Sequence, residues 1–152
     1  MGSLVLPSLK GRRMGQVITT IKISNWIDQV LHQRGFIEAD EVRSLTLDTA
    51  LVDTGATLLC LPKAIVEQLG LVQDGVANVE TTAGVQPGRI FRDVDLQIGE
   101  RRGTFDCLEL TEVNYPLLGV TPLEILGLEP DRQNRTLRFL PQTPEQTYLS
   151  VL

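Results

Sequence analysis

The residues with the clearest chemical meaning lie in the run from Ala50 to Pro62, which reads ALVDTGATLLCLP. One acidic residue, Asp53, stands between an apolar stretch and a Thr-Gly turn, and a second apolar stretch follows. Burying a lone carboxylate in such surroundings costs several kcal/mol or raises its pKa, so its placement needs a reason. Thr54 offers a hydroxyl to neighbouring backbone, and Gly55, lacking a Cβ, lets its N–H turn toward the carboxylate. Two such loops facing each other would bring two carboxylates close enough to share one proton, because like charges a few Å apart do not both ionise readily. The charged member would take a proton from water and the protonated one would polarise a carbonyl. That chemistry needs neither a metal nor a serine or cysteine nucleophile. Taken alone, the Asp-Thr-Gly triplet also fits a strand-ending turn, since Asp and Gly favour turns.

The flanking pattern supplies the elements that would position this loop. β-branched alternation over 16–23 predicts a strand, and Leu45, Leu47 and Leu51 on one face predict one or two strands over 42–52 running into Asp53. Residues 24–40 read equally as a loop or a short helix, with Trp26, Ile27, Val30 and Leu31 at helical spacing and Ser24 or Asn25 as cap. A short strand over 57–61 leads into a helix with Pro62 at its first position, Ile65, Val66 and Leu69 as its apolar stripe and Gly70 as its left-handed end. Further strands are expected over 76–82, 89–98 and 104–110, with turns over 83–88 and 99–103. Residues 116–119 read as an apolar strand ended by glycine. A helix over 121–126 follows, with Thr121 as N-cap and Glu124 three residues on. Residues 135–140 make a last strand. The sum is mostly β with one or two short helices.

Composition bounds the rest. The chain has 152 residues, 42% apolar and 22% charged, which suits one compact domain. A net charge of -5 argues against a nucleic-acid partner. No apolar run approaches the length of a membrane span. One histidine, His32, and two distant cysteines argue against a zinc site. No cofactor is called for. The cysteines, Cys60 and Cys107, form no disulfide framework, which points to a reducing, cytoplasmic setting. His32 and Trp26 read as non-catalytic, and the pairs Arg12, Arg13 and Arg101, Arg102 as solvated. Residues 1–13 read as a disordered leader or an expression remnant, 14–140 as the domain, and 141–152 as a tail.

Two motifs in order carry a family resemblance. The stretch ALVDTGAT with its apolar run, then LP and a helix ending in LGL, resembles the retropepsin-like aspartic proteases, the small bacterial members as much as the retroviral ones. Downstream, Leu117, Leu118 and Gly119, the helix over 121–126 and the strand through Phe139 resemble that family's second glycine motif, helix and closing strand. The resemblance implies a single-lobe acid-protease barrel and an aspartic endopeptidase acting on a peptide or protein substrate. It implies that Asp53 is catalytic, that Thr54 hydrogen-bonds across a two-fold axis, and that Gly55 and Ala56 border the substrate. It puts Thr82, Ala83, Gly84 and Val85 on the flap that closes over substrate, and Leu51, Cys60, Tyr115 and Leu117 in side-chain pockets. A single Asp-Thr-Gly implies a homodimer. Two departures stand out. The retroviral ion pair after the two motifs is replaced by Thr57 and Val120, and the flap apex carries Gly84 and Pro87 rather than a glycine-rich tip. A non-catalytic module that dimerises or binds extended peptides on the same fold is the alternative.

Overall fold

A computed structural model describes residues 16–142. The expected leader lies outside the described residues, as does most of the expected tail. Strand β1 (Ile18–Asn25) pairs antiparallel with β2 (Ser44–Val52), and β2 runs parallel to β7 (Leu117–Leu118). Strand β7 then pairs with β3 (Leu59–Pro62), β3 with β6 (Arg101–Leu110), and β6 with β5 (Gly84–Ile98). Because β5 returns to pair with β1, these six strands close into a barrel, with β4 (Val72–Thr81) attached to β5. Closure leaves few unpaired edges. Alternation along the strands sets the inward faces: Ile21 and Ile23 of β1, Val94, Leu96 and Ile98 of β5, and Phe105 and Cys107 of β6 fill one continuous core.

The described residues form three short α-helices rather than one or two: α1 (Trp26–Gln33), α2 (Lys63–Leu69) and α3 (Val120–Leu126). The first half of the ambiguous stretch after β1 is helical, with Asn25 as its cap. The Asn25 side chain accepts from the Asp28 backbone N–H at 3.0 Å and donates to the Leu69 carbonyl at 2.9 Å, which also ties α1 to the end of α2. Gly70 ends α2 in the left-handed region, as expected. One strand was not expected: β8 (Leu128–Asp131) pairs with β9 (Thr136–Phe139) as a separate two-stranded sheet.

The expected turn over 83–88 is a two-residue turn at Thr82 and Ala83, with β5 beginning at Gly84. The Thr81 hydroxyl accepts from the Ala83 N–H and donates to the Gly84 carbonyl, closing this tip. Gly84, at φ 104°, takes a backbone shape that favours glycine. Strand β5 changes partner along one edge, pairing with β4 as far as Arg92 and with β1 from Val94 onward. The changeover falls on an irregularity at Asp93, whose φ is 65°. The loop expected over 99–103 shrinks to Gly99 and Glu100, and the arginines after it, although Arg102 is exposed as expected, are both hydrogen-bonded. Arg101 donates to the carbonyls of Leu126, Gly127 and Leu140, and Arg102 pairs with Asp95 and Gln29.

An ion pair between a buried carboxylate and a half-exposed arginine ties α1 to the residue before β2. The Asp28 carboxylate, 8% exposed, accepts from Arg43 N, Nε and Nη2 at 3.0, 2.8 and 3.0 Å. The hydrogen bonds from the Arg43 side chain hold the Asp28 carboxyl below its ordinary range against the opposing effect of burial. A depressed folded-state pKa contributes stability above the unfolded value near 3.8, and that contribution is lost as pH falls through the lower folded value. Asp28→Asn is therefore expected to cost about 1–3 kcal/mol at pH 7. The gap to wild type should narrow below pH ~4, as urea unfolding across pH 7 to 2.5 would read. A gap independent of pH would refute the assignment.

Candidate active site

The Asp-Thr-Gly loop is held from three sides by backbone. Val52 N donates to the Val17 carbonyl at 2.9 Å, and Asp53 N to the Leu118 carbonyl at 3.0 Å. The turn closes on itself, with Ala56 N donating to the Asp53 carbonyl at 3.1 Å. From the far side, Val120 N and Thr121 N donate to the carbonyls of Ala56 and Thr57, each at 2.9 Å. These bonds stand at the positions where the retroviral pattern has its ion pair, so backbone joins the two motifs here. They also explain why Gly119, not Thr121, is the N-cap residue of α3, with no side-chain cap. The first N–H groups of the helix, orphans in an isolated helix, are satisfied by loop carbonyls. Gly119 must lack a side chain for this docking, since a Cβ there would lie 2.4 Å from the Leu58 carbonyl oxygen.

Within the loop, Gly55 N–H donates to Asp53 Oδ1 at 2.9 Å, the bond its lack of a Cβ was expected to allow. Asp53 is half-buried, while Thr54 and Gly55 are exposed in the single chain. Thr54 Oγ1 accepts from Arg132 Nη2 at 3.1 Å.

Asp53 opens onto a cavity of about 570 Å³. Its floor is Asp53, Gly55, Ala56, Thr57 and Leu58, its apolar wall Cys60, Ile90, Leu108, Leu110 and Leu117, and its roof Ala77, Asn78, Val79 and Glu80 of β4. Asp53 and Glu80 are its charged lining residues. Of the residues picked out from the sequence, the structure gathers Asp53, Gly55, Ala56, Cys60 and Leu117 around this space. Thr54 adjoins it in the loop. Leu51 is half-buried beside Leu117 in the parallel pair. Thr82, Ala83, Gly84 and Val85 sit at and beside the exposed tip of the β4–β5 hairpin and do not line the cavity. Tyr115 is 3% exposed, does not line the cavity, and its hydroxyl has no hydrogen-bond partner among the described residues.

Burial pushes the Cys60 thiol up to about 12, with the negative charge of Asp53 adding to the shift. Burial and then Asp53 likewise raise the Tyr115 phenol. Cys60 is thus a neutral apolar wall residue rather than a nucleophile. Sequence reasoning missed the β4 roof. A strand over 76–82 was expected, but which face looks down depends on the register with β5. The stem of that hairpin is clamped to the barrel. Arg89 makes a two-pronged pair with buried Glu109, at 2.8 and 2.7 Å, and its guanidinium lies over the Phe91 ring.

A closed six-stranded barrel with an Asp-Thr-Gly loop strapped to a glycine-led helix, beneath a two-stranded hairpin, defines a single-lobe retropepsin-like acid protease. The family model described as aspartyl protease matches residues 41–130, and the chain belongs to that family of peptide hydrolases. Among solved structures the chain is similar to the EIAV protease complexed with the inhibitor HBY-793. That match has 16% identity and a TM-score of 0.47, and covers 78% of this chain and 92% of that one. No curated protein matches the chain. Among the described residues no helix is long and apolar enough to cross a membrane.

Proposed function

We propose that the protein is a homodimeric aspartic endopeptidase, with Asp53 from each of two copies forming one catalytic centre and an extended peptide lying between that centre and the β4–β5 hairpins. The observation that carries this reading is Asp53 at the floor of the cavity, its Oδ1 held by Gly55 N–H and its loop strapped by β7 and α3. One chain offers one such carboxylate, and a proton-sharing pair needs two. Thr54 is read as the hydroxyl that bonds across the axis to lock the two loops, and Ala56 as a border of the peptide main chain.

The chemistry balances without a covalent intermediate. The ionised carboxylate removes a proton from a water, whose oxygen attacks the carbonyl carbon, while the protonated carboxyl donates to the carbonyl oxygen. In the tetrahedral species the amide nitrogen then takes a proton from the carboxyl that deprotonated the water, a diol hydroxyl returns its proton to the other carboxylate, the C–N bond breaks, and a carboxylic acid and an amine leave. Cys60, Leu108, Leu110 and Leu117 suit apolar substrate side chains.

The test is the dependence of cleavage on concentration. Specific activity on a peptide library, surveyed from pH 3 to 8, should fall steeply as the chain is diluted through its dimer dissociation constant. Mixing wild type with excess Asp53→Asn chain should suppress it, because mixed dimers carry one carboxylate. Cleavage that stays proportional to concentration at every dilution refutes the shared site. A stable dimer that cleaves nothing points to the peptide-binding alternative.

A further inference from the structure

The Thr54–Arg132 contact lies outside the catalytic roles assigned above. Arg132 occupies the loop between β8 and β9, in the sheet that stands apart from the barrel. That loop is preformed: Asp131 Oδ1 accepts from Asn134 N at 3.1 Å, and Asp131 Oδ2 from Asn134 Nδ2 at 2.8 Å. The hairpin is in turn fixed to the barrel. Leu128 is buried, Leu137 packs on the core, and Arg101 donates to the carbonyls of Leu126 and Gly127 at 2.8 and 3.1 Å. A fixed hairpin therefore delivers one guanidinium to the loop that carries Asp53.

The direction of the hydrogen bond decides what this does. A guanidinium only donates, whereas a hydroxyl has one proton and two acceptor lone pairs. In the contact at 3.1 Å Thr54 Oγ1 must therefore be the acceptor, and its own proton is left without an acceptor among the described residues. We infer that Arg132 is a positioning residue of the half-site: by holding a lone pair of Thr54 Oγ1, it presents the hydroxyl proton outward as a donor to the second copy. This rests on the dimeric reading above. It adds a determinant of assembly in the C-terminal hairpin, remote in sequence from the motif it orders, and makes docking of that hairpin a condition for pairing.

The experiment is a double-mutant cycle read by sedimentation equilibrium and by activity against protein concentration. Arg132→Ala should weaken dimerisation about five- to tenfold, the scale of one ordinary hydrogen bond. Turnover per dimer, measured well above the dissociation constant, and KM should stay within about twofold of wild type. In a Thr54→Val background, which removes the hydroxyl at constant shape, Arg132→Ala should have no further effect. In a Thr54→Ser background its full effect should return. Melting temperatures of the single variants, measured as monomers, should match wild type, which separates the role from general loosening of the fold. If wild type dimerises but Arg132→Ala leaves the dissociation constant unchanged, or acts equally with and without the Thr54 hydroxyl, the inference fails and the dimeric site stands. If wild type never dimerises, both fail.

Discussion

Asp53→Asn abolishes peptide cleavage while the fold survives: that is the first expected result, with a loss of at least about 10³-fold, within the range for removing a general acid–base group. Asparagine has nearly the same shape and keeps an oxygen able to accept from Gly55 N–H, so the 2.9 Å bond within the loop can persist. It cannot take a proton from water, and two asparagines cannot share one. Asp53 is only half-buried in the single chain, so a neutral side chain of the same shape costs the fold little. The melting temperature should accordingly stay close to that of wild type or rise, since the proposed dimer would no longer have two carboxylates to hold together. Initial rates on an unfolded protein substrate, with melting curves alongside, check both halves. Undiminished cleavage by the purified variant would refute the role of Asp53.

Gly119→Ala is expected to damage activity and stability together. An added Cβ would sit 2.4 Å from the Leu58 carbonyl oxygen, 2.7 Å from that of Ala56 and 2.9 Å from the Ala56 carbonyl carbon. All three atoms are backbone, so no side-chain rotation relieves them. Either α3 withdraws, breaking the bonds from Val120 and Thr121, or the loop bearing Asp53 shifts. Overpacking of this kind costs about 1–3 kcal/mol. A displacement near 1 Å at a reacting group costs about 10²-fold in rate. Urea unfolding and turnover at saturating substrate should both move. A variant with wild-type turnover would show that the docking of α3 does not set the position of Asp53.

Much of this arrangement was legible from residue types. The apolar–Asp–Thr–Gly–apolar run marked the loop and its two strands, the alternation in β1 marked its inward face, and Gly70 marked the end of α2. What could not be read depended on partners distant in the chain. Thr121, Pro122 and Glu124 look like a capping box, yet the loop carbonyls of Ala56 and Thr57 take that part. Gly84 and Pro87 look like turn punctuation. Pro87 instead lies within β5 opposite Asn78, tolerable because the β4–β5 hairpin has an open edge at that height. Strand β8 reads LEPD, whose proline and acids suggest loop, and only pairing with β9 makes it a strand. Asn25 was seen as a possible cap, but its second bond, to the end of α2, was not. Arg132 carried no local signal at all.

The two-residue strand β7 has a temporal consequence. It lies between β2 and β3, pairing with Leu51 and Val52 on one side and with Leu59 and Cys60 on the other. Both neighbours emerge from the ribosome long before β7 does, and until it arrives the loop bearing Asp53 lacks the Leu118 carbonyl and the docked helix that hold it. Contacts of such long sequence separation form late, because the intervening chain must first lose its freedom. A nascent or truncated chain ending before residue 117 thus has the Asp-Thr-Gly triplet but neither the Leu118 carbonyl nor the docked helix that order its loop, so the loop takes its shape only when synthesis has passed β7.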